Sequence, residues 1–291
     1  MTLAFDVIVC GSLHLDIVVD APHLPQLDET VPGSSWKKIC GGKGGNQAVM
    51  AAKAGARTAM IGCVGDDDFG QTLTANLTIN AINIDRVSID PDHGTGMSVA
   101  IVESSGEYGA VIVSGSNLAL SSEKAAEAWQ TLGSAKVLIL QNEIPEAVNI
   151  AAARAAKMSG GQVILNAAPA RTISEELLGL VDVLVVNRVE AEMMSGVTVN
   201  DKNSALNALP KFARTGQDVI ITLGGLGLVF QTKAKTTHFI EPHKIIVKST
   251  HGAGDCFIGV LANALAHNAD LSAACTKANQ SAAKFVSGKR S

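Results

Sequence analysis

Six short apolar runs divide the chain: Val7-Ile8-Val9-Cys10, Thr58-Ala59-Met60-Ile61, Val137-Leu138-Ile139-Leu140, Val163-Ile164-Leu165, Val183-Leu184-Val185-Val186 and Val219-Ile220-Ile221. Helix patterns alternate with them, one from Gly45 to Ala54 that stops at Gly55, another opening at Pro145. Runs that are apolar throughout fit strands buried on both faces, and the alternation makes the sheet parallel. The expected architecture is α/β, a three-layer α/β/α arrangement around a mostly parallel sheet.

Two segments interrupt the alternation. Ile17-Val18-Val19 runs through a Pro-containing loop to Glu29-Thr30-Val31, with no helix pattern between. Met97-Ser98-Val99-Ala100-Ile101 and Ala110-Val111-Ile112-Val113 flank Ser104-Ser105-Gly106, a hairpin signal. These pieces predict a small antiparallel β lid, from about 13–40 and 95–114, over one edge of a single domain spanning residues 1–291.

Composition removes several function classes. At 47% hydrophobic and 17% charged, 291 residues bury a large core. The net charge of -4, without a basic cluster, argues against a nucleic-acid partner. Five cysteines without C-x-x-C spacing predict reduced thiols rather than zinc ligands or disulfides. No apolar run is long enough for a bilayer and no signal-peptide pattern opens the chain, so a cytoplasmic protein without membrane partners is expected.

The chemistry gathers after the strands. Thr250-His251-Gly252-Ala253-Gly254-Asp255 lies between Ile245-Ile246-Val247, read as a strand, and an apolar helix pattern over 256–265. Small residues at a helix N-terminus let backbone amides converge on an anion. Asp255 would repel that anion unless it takes the proton of an attacking hydroxyl, a combination that points to phosphoryl transfer. Gly41-Gly42-Lys43-Gly44-Gly45-Asn46-Gln47 offers close approach and polar groups, but is no Walker A loop. Asp16 could accept two sugar hydroxyls, with His14 as a further contact; Glu143 follows the third run. An ordinary loop acid would also account for Asp16, and a first-turn helix acid accounts equally for Glu143. Asn187 and Glu190 could orient a hydrated magnesium ion beside phosphates, or simply cap a short helix. Thr222-Leu223-Gly224-Gly225-Leu226-Gly227 could bed a nucleotide, or merely turn the chain into Leu228-Val229-Phe230. Asp16, Gly42, Glu143, Asn187, Gly225 and Asp255 all lie beyond strand carboxyl ends, where open α/β sheets bind ligands. No G-x-G-x-x-G follows the first run, which argues against a dehydrogenase.

These motifs, with Gly65-Asp66-Asp67-Asp68-Phe69-Gly70 and Asn166-Ala167-Ala168-Pro169-Ala170, resemble the ribokinase (PfkB) family of ATP-dependent sugar and nucleoside kinases over nearly the whole chain. The resemblance implies a sugar site from His14, Asp16, Gly42, Lys43, Asn46 and Glu143, with Asp255 as general base for a primary hydroxyl. Gly252, Ala253 and Gly254 would form the anion hole. Asn187, Thr222 to Gly227, Gly254 and Asn279 would hold the adenine nucleotide, and Asn187 and Glu190 would act on Mg2+ through water. The lid would close the cleft and join two subunits as a homodimer. Family members usually carry Asn where His14 stands, Asp where Ser249 stands and Gly where Arg290 stands. Ser249 and His251 therefore mark a degenerate monovalent-cation site, and potassium activation is expected to be weak or absent. D-ribose is the leading substrate; deoxyribose, a nucleoside such as pseudouridine, and a catalytically idle sugar- or nucleotide-binding protein are the alternatives.

Overall fold

The computed structural model describes residues 4–105, 107–212 and 216–288. The six apolar runs form β1 (Phe5–Cys10), β4 (Thr58–Gly65), β8 (Ala135–Gln141), β9 (Gln162–Asn166), β10 (Val183–Asn187) and β11 (Asp218–Thr222). They are flanked by β5 (Asn83–Asp90), β12 (Leu228–Gln231) and β13 (Thr237–Ile240) in a nine-stranded sheet of order β13-β12-β11-β10-β9-β8-β1-β4-β5. Pairing is parallel from β5 to β11, and only β12 and β13 run antiparallel.

Side chains of each central strand alternate between two cores. Ile8 and Leu138 point into one, Val7 and Ile139 into the other. The first core is covered by α3 (Ser122–Thr131), α4 (Glu146–Met158), α5 (Glu175–Leu180), α6 (Arg188–Ser195) and α7 (Lys202–Phe212). The second is covered by α1 (Lys43–Lys53), α2 (Asp68–Ile79), α8 (Ala253–Ala266) and α9 (Leu271–Val286). Three layers follow from strands that are apolar on both faces. All five cysteines are free, and burial pushes the Cys10 thiol up to about 12.

The smaller sheet has the order β3-β2-β6-β7, from β2 (His14–Ala21), β3 (Ser35–Gly41), β6 (Met97–Glu103) and β7 (Tyr108–Val113). Its outer pairs are antiparallel, whereas β2 and β6 meet in parallel. The parallel seam follows from connectivity, since α1, β4, α2 and β5 intervene between the two outer pairs. Its root is fixed by Asn117, whose side chain accepts from the Leu13 amide at 2.8 Å and donates to the Leu13 carbonyl at 2.9 Å.

Two predicted strands are absent. Glu29-Thr30-Val31 lies in an exposed loop, and the strand after that loop is Ser35–Gly41, too polar and solvent-facing to show an apolar pattern. Ile245-Ile246-Val247 has no regular structure: Ile246 is 87% exposed, and the Lys248 and Ser249 amides donate to the Val286 carbonyl instead. β-branched composition makes a strand only where a sheet edge receives it. Gly106 of the hairpin signal, and Arg290, fall outside the described residues.

Candidate active site

Residues far apart in sequence meet where β1, α1, β8 and α8 converge. α1 starts at Gly42, which has φ +81 and provides no side-chain cap. Its first amides are satisfied from elsewhere: Lys43 N–H donates to Glu143 Oε2 at 2.9 Å, Gly44 N–H to Ser12 Oγ at 3.3 Å, and Gly45 N–H to the Ser12 carbonyl at 2.9 Å. Ser12 Oγ also donates to Glu143 Oε2 at 2.5 Å. A carboxylate at that N-terminus is favoured by the helix dipole. Gly44 allows the close seat, because a Cβ there would lie 2.6 Å from the Ser12 nitrogen.

α1 also packs tightly on α8, where a Cβ at Gly259 would lie 2.6 Å from the Ala51 nitrogen. Asn46 Nδ2 thereby reaches Asp255 Oδ2 at 3.1 Å, and Gln47 Nε2 reaches Oδ1 at 2.9 Å. Asp255 is 9% exposed in the first turn of α8. Burial raises its pKa; the Gln47 and Asn46 donors and the Lys43 charge pull it back, while the Glu143 charge pushes it up. Asp16 sits on β2 opposite Ile39 and accepts from Ser98 Oγ at 2.5 Å. His14 is 5% exposed, with Nδ1 3.9 Å from Glu143 Oε2 and a buried Nε2 that has no partner among the described residues.

α8 opens after Gly252, whose φ is +76. The Ala253 amide, expected in the anion hole, donates to the Thr250 carbonyl at 3.3 Å. The amides of Gly252, Gly254 and Asp255 have no acceptor among the described residues, the last two within the first turn of α8. A Cβ at Gly254 would meet nothing within 4 Å, so that side of the turn is open.

The other candidate residues form local motifs. Asn187 Oδ1 accepts from the Val189 and Glu190 amides at 2.8 and 3.1 Å, and Glu190 Oε2 accepts from the Asn187 amide at 2.7 Å. This is a capping box, the helix-end reading of that pair. Burial raises the Glu190 pKa against the cap bonds and the Lys43 charge. Among the described residues no three His, Cys, Asp or Glu side chains gather to hold a metal. A hydrated ion carried mainly by phosphates fits such a donor set better than a protein cage does.

After Thr222, a 3-10 turn at Gly224–Leu226 leads into β12, closed by Leu223 N–H to the Gly227 carbonyl at 2.8 Å. Gly227 is needed for packing, since a Cβ would strike the Ile240 carbonyl, whereas Gly224 and Gly225 face open space. Asn279 Nδ2 donates to the Glu241 carbonyl at 3.0 Å. Ser249 Oγ accepts from the His251 amide at 3.3 Å, and both residues are exposed. A cavity of about 640 Å³ between residues 243–248 and α9 contains none of the candidate site residues.

Ser12 carries no signal in the sequence, yet it joins Glu143 to α1; Gln47, read from the sequence as one of the polar groups of the Gly-rich segment, donates to the candidate base rather than standing free for a ligand. Gln47 lies one turn beyond Lys43 and beside Asn46, so the three share a helix face, but local spacing does not name Asp255 as its partner. The Asp66-Asp67-Asp68 segment is structural at its centre. Asp67 caps α2 through Gly70 N–H and accepts from Thr95 N–H and Oγ1, which ties down the start of β6. Burial would raise its carboxyl, but these bonds outweigh it and hold the pKa low.

A mostly parallel three-layer sheet with a small second sheet beside a carboxylate-and-amide cleft defines a class of sugar kinases. The pfkB family carbohydrate kinases match residues 4–290, and the chain belongs to that family. It is an ATP-dependent carbohydrate kinase of the ribokinase group. It is 36% identical to a ribokinase of Haemophilus influenzae over 88% of this chain and 84% of that protein. A deoxyribokinase of Salmonella typhi is 32% identical over 98% of this chain and 93% of its own length. The Arabidopsis thaliana ribokinase complexed with ribose and ATP superposes with a TM-score of 0.89 at 28% identity, over 98% of this chain and 93% of that one.

Proposed function

We propose that the chain transfers the terminal phosphoryl group of ATP to the primary (5-) hydroxyl of D-ribose, with Asp255 as general base. The observation that carries this reading is the Asp255 carboxylate, held by Asn46 and Gln47 beside two unpartnered amides of a helix N-terminus. A buried carboxylate oriented by two amide donors is poised to take a hydroxyl proton, and the free amides meet charge on the transferring group.

Asp16, His14, Gly42, Lys43, Asn46 and Glu143 form the sugar side; the buried, unpartnered His14 Nε2 calls for a hydroxyl. Asn187, Thr222 to Gly227, Gly254 and Asn279 form the nucleotide side, where Mg2+ bound to the phosphates would neutralise charge while Asn187 and Glu190 orient its waters. Residues 1–291 act as one unit, with the smaller sheet as a lid that excludes water. Trp36, Tyr108, Val111 and Ile112 on that sheet are 63–70% exposed, an apolar area suited to a second copy of the chain.

Deoxyribose is the second reading, favoured by the deoxyribokinase relative and by the altered polar contact at His14. A coupled ADP-release assay over pentoses and nucleosides tests both. Ribose is expected to give the highest kcat/KM; preference for deoxyribose or a nucleoside replaces the substrate, and no turnover with any acceptor overturns the kinase assignment for this chain.

A further inference from the structure

Glu143 lies in a stretch that no helix or strand holds, between the end of β8 at Gln141 and the start of α4 at Glu146. Its carboxylate nevertheless reaches Ser12 Oγ and the Lys43 amide, at 2.5 and 2.9 Å. Groups from elsewhere in the chain must therefore fix the peptide units around it. The segment after β9 does so from two sides. Before Glu143, the Asn142 amide donates to the Ala168 carbonyl at 2.9 Å, and Asn142 Nδ2 to the Pro169 carbonyl at 3.0 Å. After Glu143, Arg171 Nη1 donates to the Ile144 carbonyl at 3.1 Å.

Arg171 is a costly residue to keep in that place. It is half-buried; burial pulls its pKa down, and the Glu146 charge only partly opposes this. Its Nε and Nη2 are buried without a partner among the described residues. Among those residues the guanidinium also enters no ion pair within 4.0 Å. A partly buried cation bonded through one nitrogen adds little to stability. What its one bond does explains it better: that bond fixes the carbonyl next to Glu143.

We propose that Arg171 is a positioning residue for the sugar site: with Asn142 it clamps both neighbours of Glu143 to the segment 168–171 and so aims the Glu143 carboxylate at a sugar hydroxyl. Arg171 acts through Glu143 and makes no contact with the sugar itself. The role rests on the reading above of Glu143 as a sugar ligand. Released from the clamp, the carboxylate would move with residues 142–145 and lose its preset geometry, which weakens the bond to the incoming hydroxyl. The nucleotide residues lie on other elements, so ATP binding should not respond.

A double-mutant cycle tests the role, read by calorimetric binding of D-ribose to the full chain. Arg171→Met should raise the ribose Kd about tenfold in the wild-type background, but at most about twofold on top of Glu143→Gln. Arg171→Lys, which keeps a charged donor, should recover part of the loss. In turnover, Arg171→Met should raise the KM for ribose and leave the KM for ATP within about twofold. An equal factor in both backgrounds would overturn the proposal, because a residue serving only the fold acts regardless of Glu143. Ribose binding at the wild-type level in Arg171→Met would overturn it as well. Should Arg171→Met fail to fold, Asn142→Ala opens the clamp from the other side, and the same cycle with Glu143→Gln decides. Ribose bound equally by the wild type and Glu143→Gln would remove Glu143 from the sugar site, and this role with it. A chain that shows the expected cycle yet turns over no acceptor would lose the kinase reading and keep the positioning role.

Discussion

The proposed acceptor half of the cleft and its proposed nucleotide half are built in different ways. Around Asp255 and Glu143 the contacts span long sequence separations: Asn46 to Asp255, Ser12 to Glu143, Lys43 to Glu143. Around Asn187, Thr222 and Ser249 local motifs dominate, a capping box, a 3-10 turn and a two-residue hydroxyl turn, with longer reaches only of some 36–38 residues, from Thr222 to Val186, Ser249 to Val286 and Asn279 to Glu241. The acceptor half therefore stands organised by the packing of α1 on α8, while the nucleotide half offers open glycines and short motifs. A preformed acceptor side costs little reorganisation when the sugar arrives, and the nucleotide side has more to gain from its ligand.

The largest effect that would sharpen this contrast is expected for Asp255→Asn. Turnover should fall by about 10³-fold or more, with sugar binding largely kept, measured by steady-state kinetics and calorimetry. Turnover near wild type would break the assignment of the base.

Gln47→Met comes next. Its amide stabilises the ionised Asp255 carboxylate, so removing it leaves burial less opposed and raises the pKa further. A base is inactive when protonated, so the acid limb of the kcat/KM profile should move to higher pH. At a fixed pH on that limb, turnover should drop by about tenfold for every pH unit the limb moves. An unmoved acid limb would show that Asp255 does not control it.

Asn187→Ala probes the other half. Loss of the cap should cost about 1 kcal/mol, read by denaturant melts. The KM for ATP should rise with kcat for the sugar step little changed; a rise in sugar KM instead would erase the division between the halves.

The smallest effect is the absence of one. Ser249 and His251 are exposed and present a hydroxyl and an imidazole where a monovalent cation prefers carboxylate or carbonyl oxygen. Turnover with and without potassium should agree, and strong activation would restore a working cation site.

The same division governed how far the sequence could be read. Val137 to Leu140 or Val183 to Val186 cannot fold as a half-exposed element, so the buried parallel sheet was legible from those residues. The helix starting at Pro145 and the turn after Thr222 were legible because capping and turn chemistry act over a few residues. Glu29-Thr30-Val31 and Ile245-Ile246-Val247 misled, since strand composition without a neighbouring edge leaves a loop. Ser35–Gly41 was hidden for the converse reason: pairing with β2 makes it a strand despite a mostly exposed surface.

By itself the sequence determined the layered α/β framework, the helix ends and the presence of Asp255 beside small residues, because periodicity and capping are local properties. Only the tertiary structure decided that Gln47 and Asn46 hold that carboxylate, that Ser12 and Glu143 close the start of α1, and that Ala253 is spent in a turn. Those outcomes depend on how closely α1 and α8 approach, and helix contact distance is set by packing across some two hundred residues of chain, which no local pattern encodes.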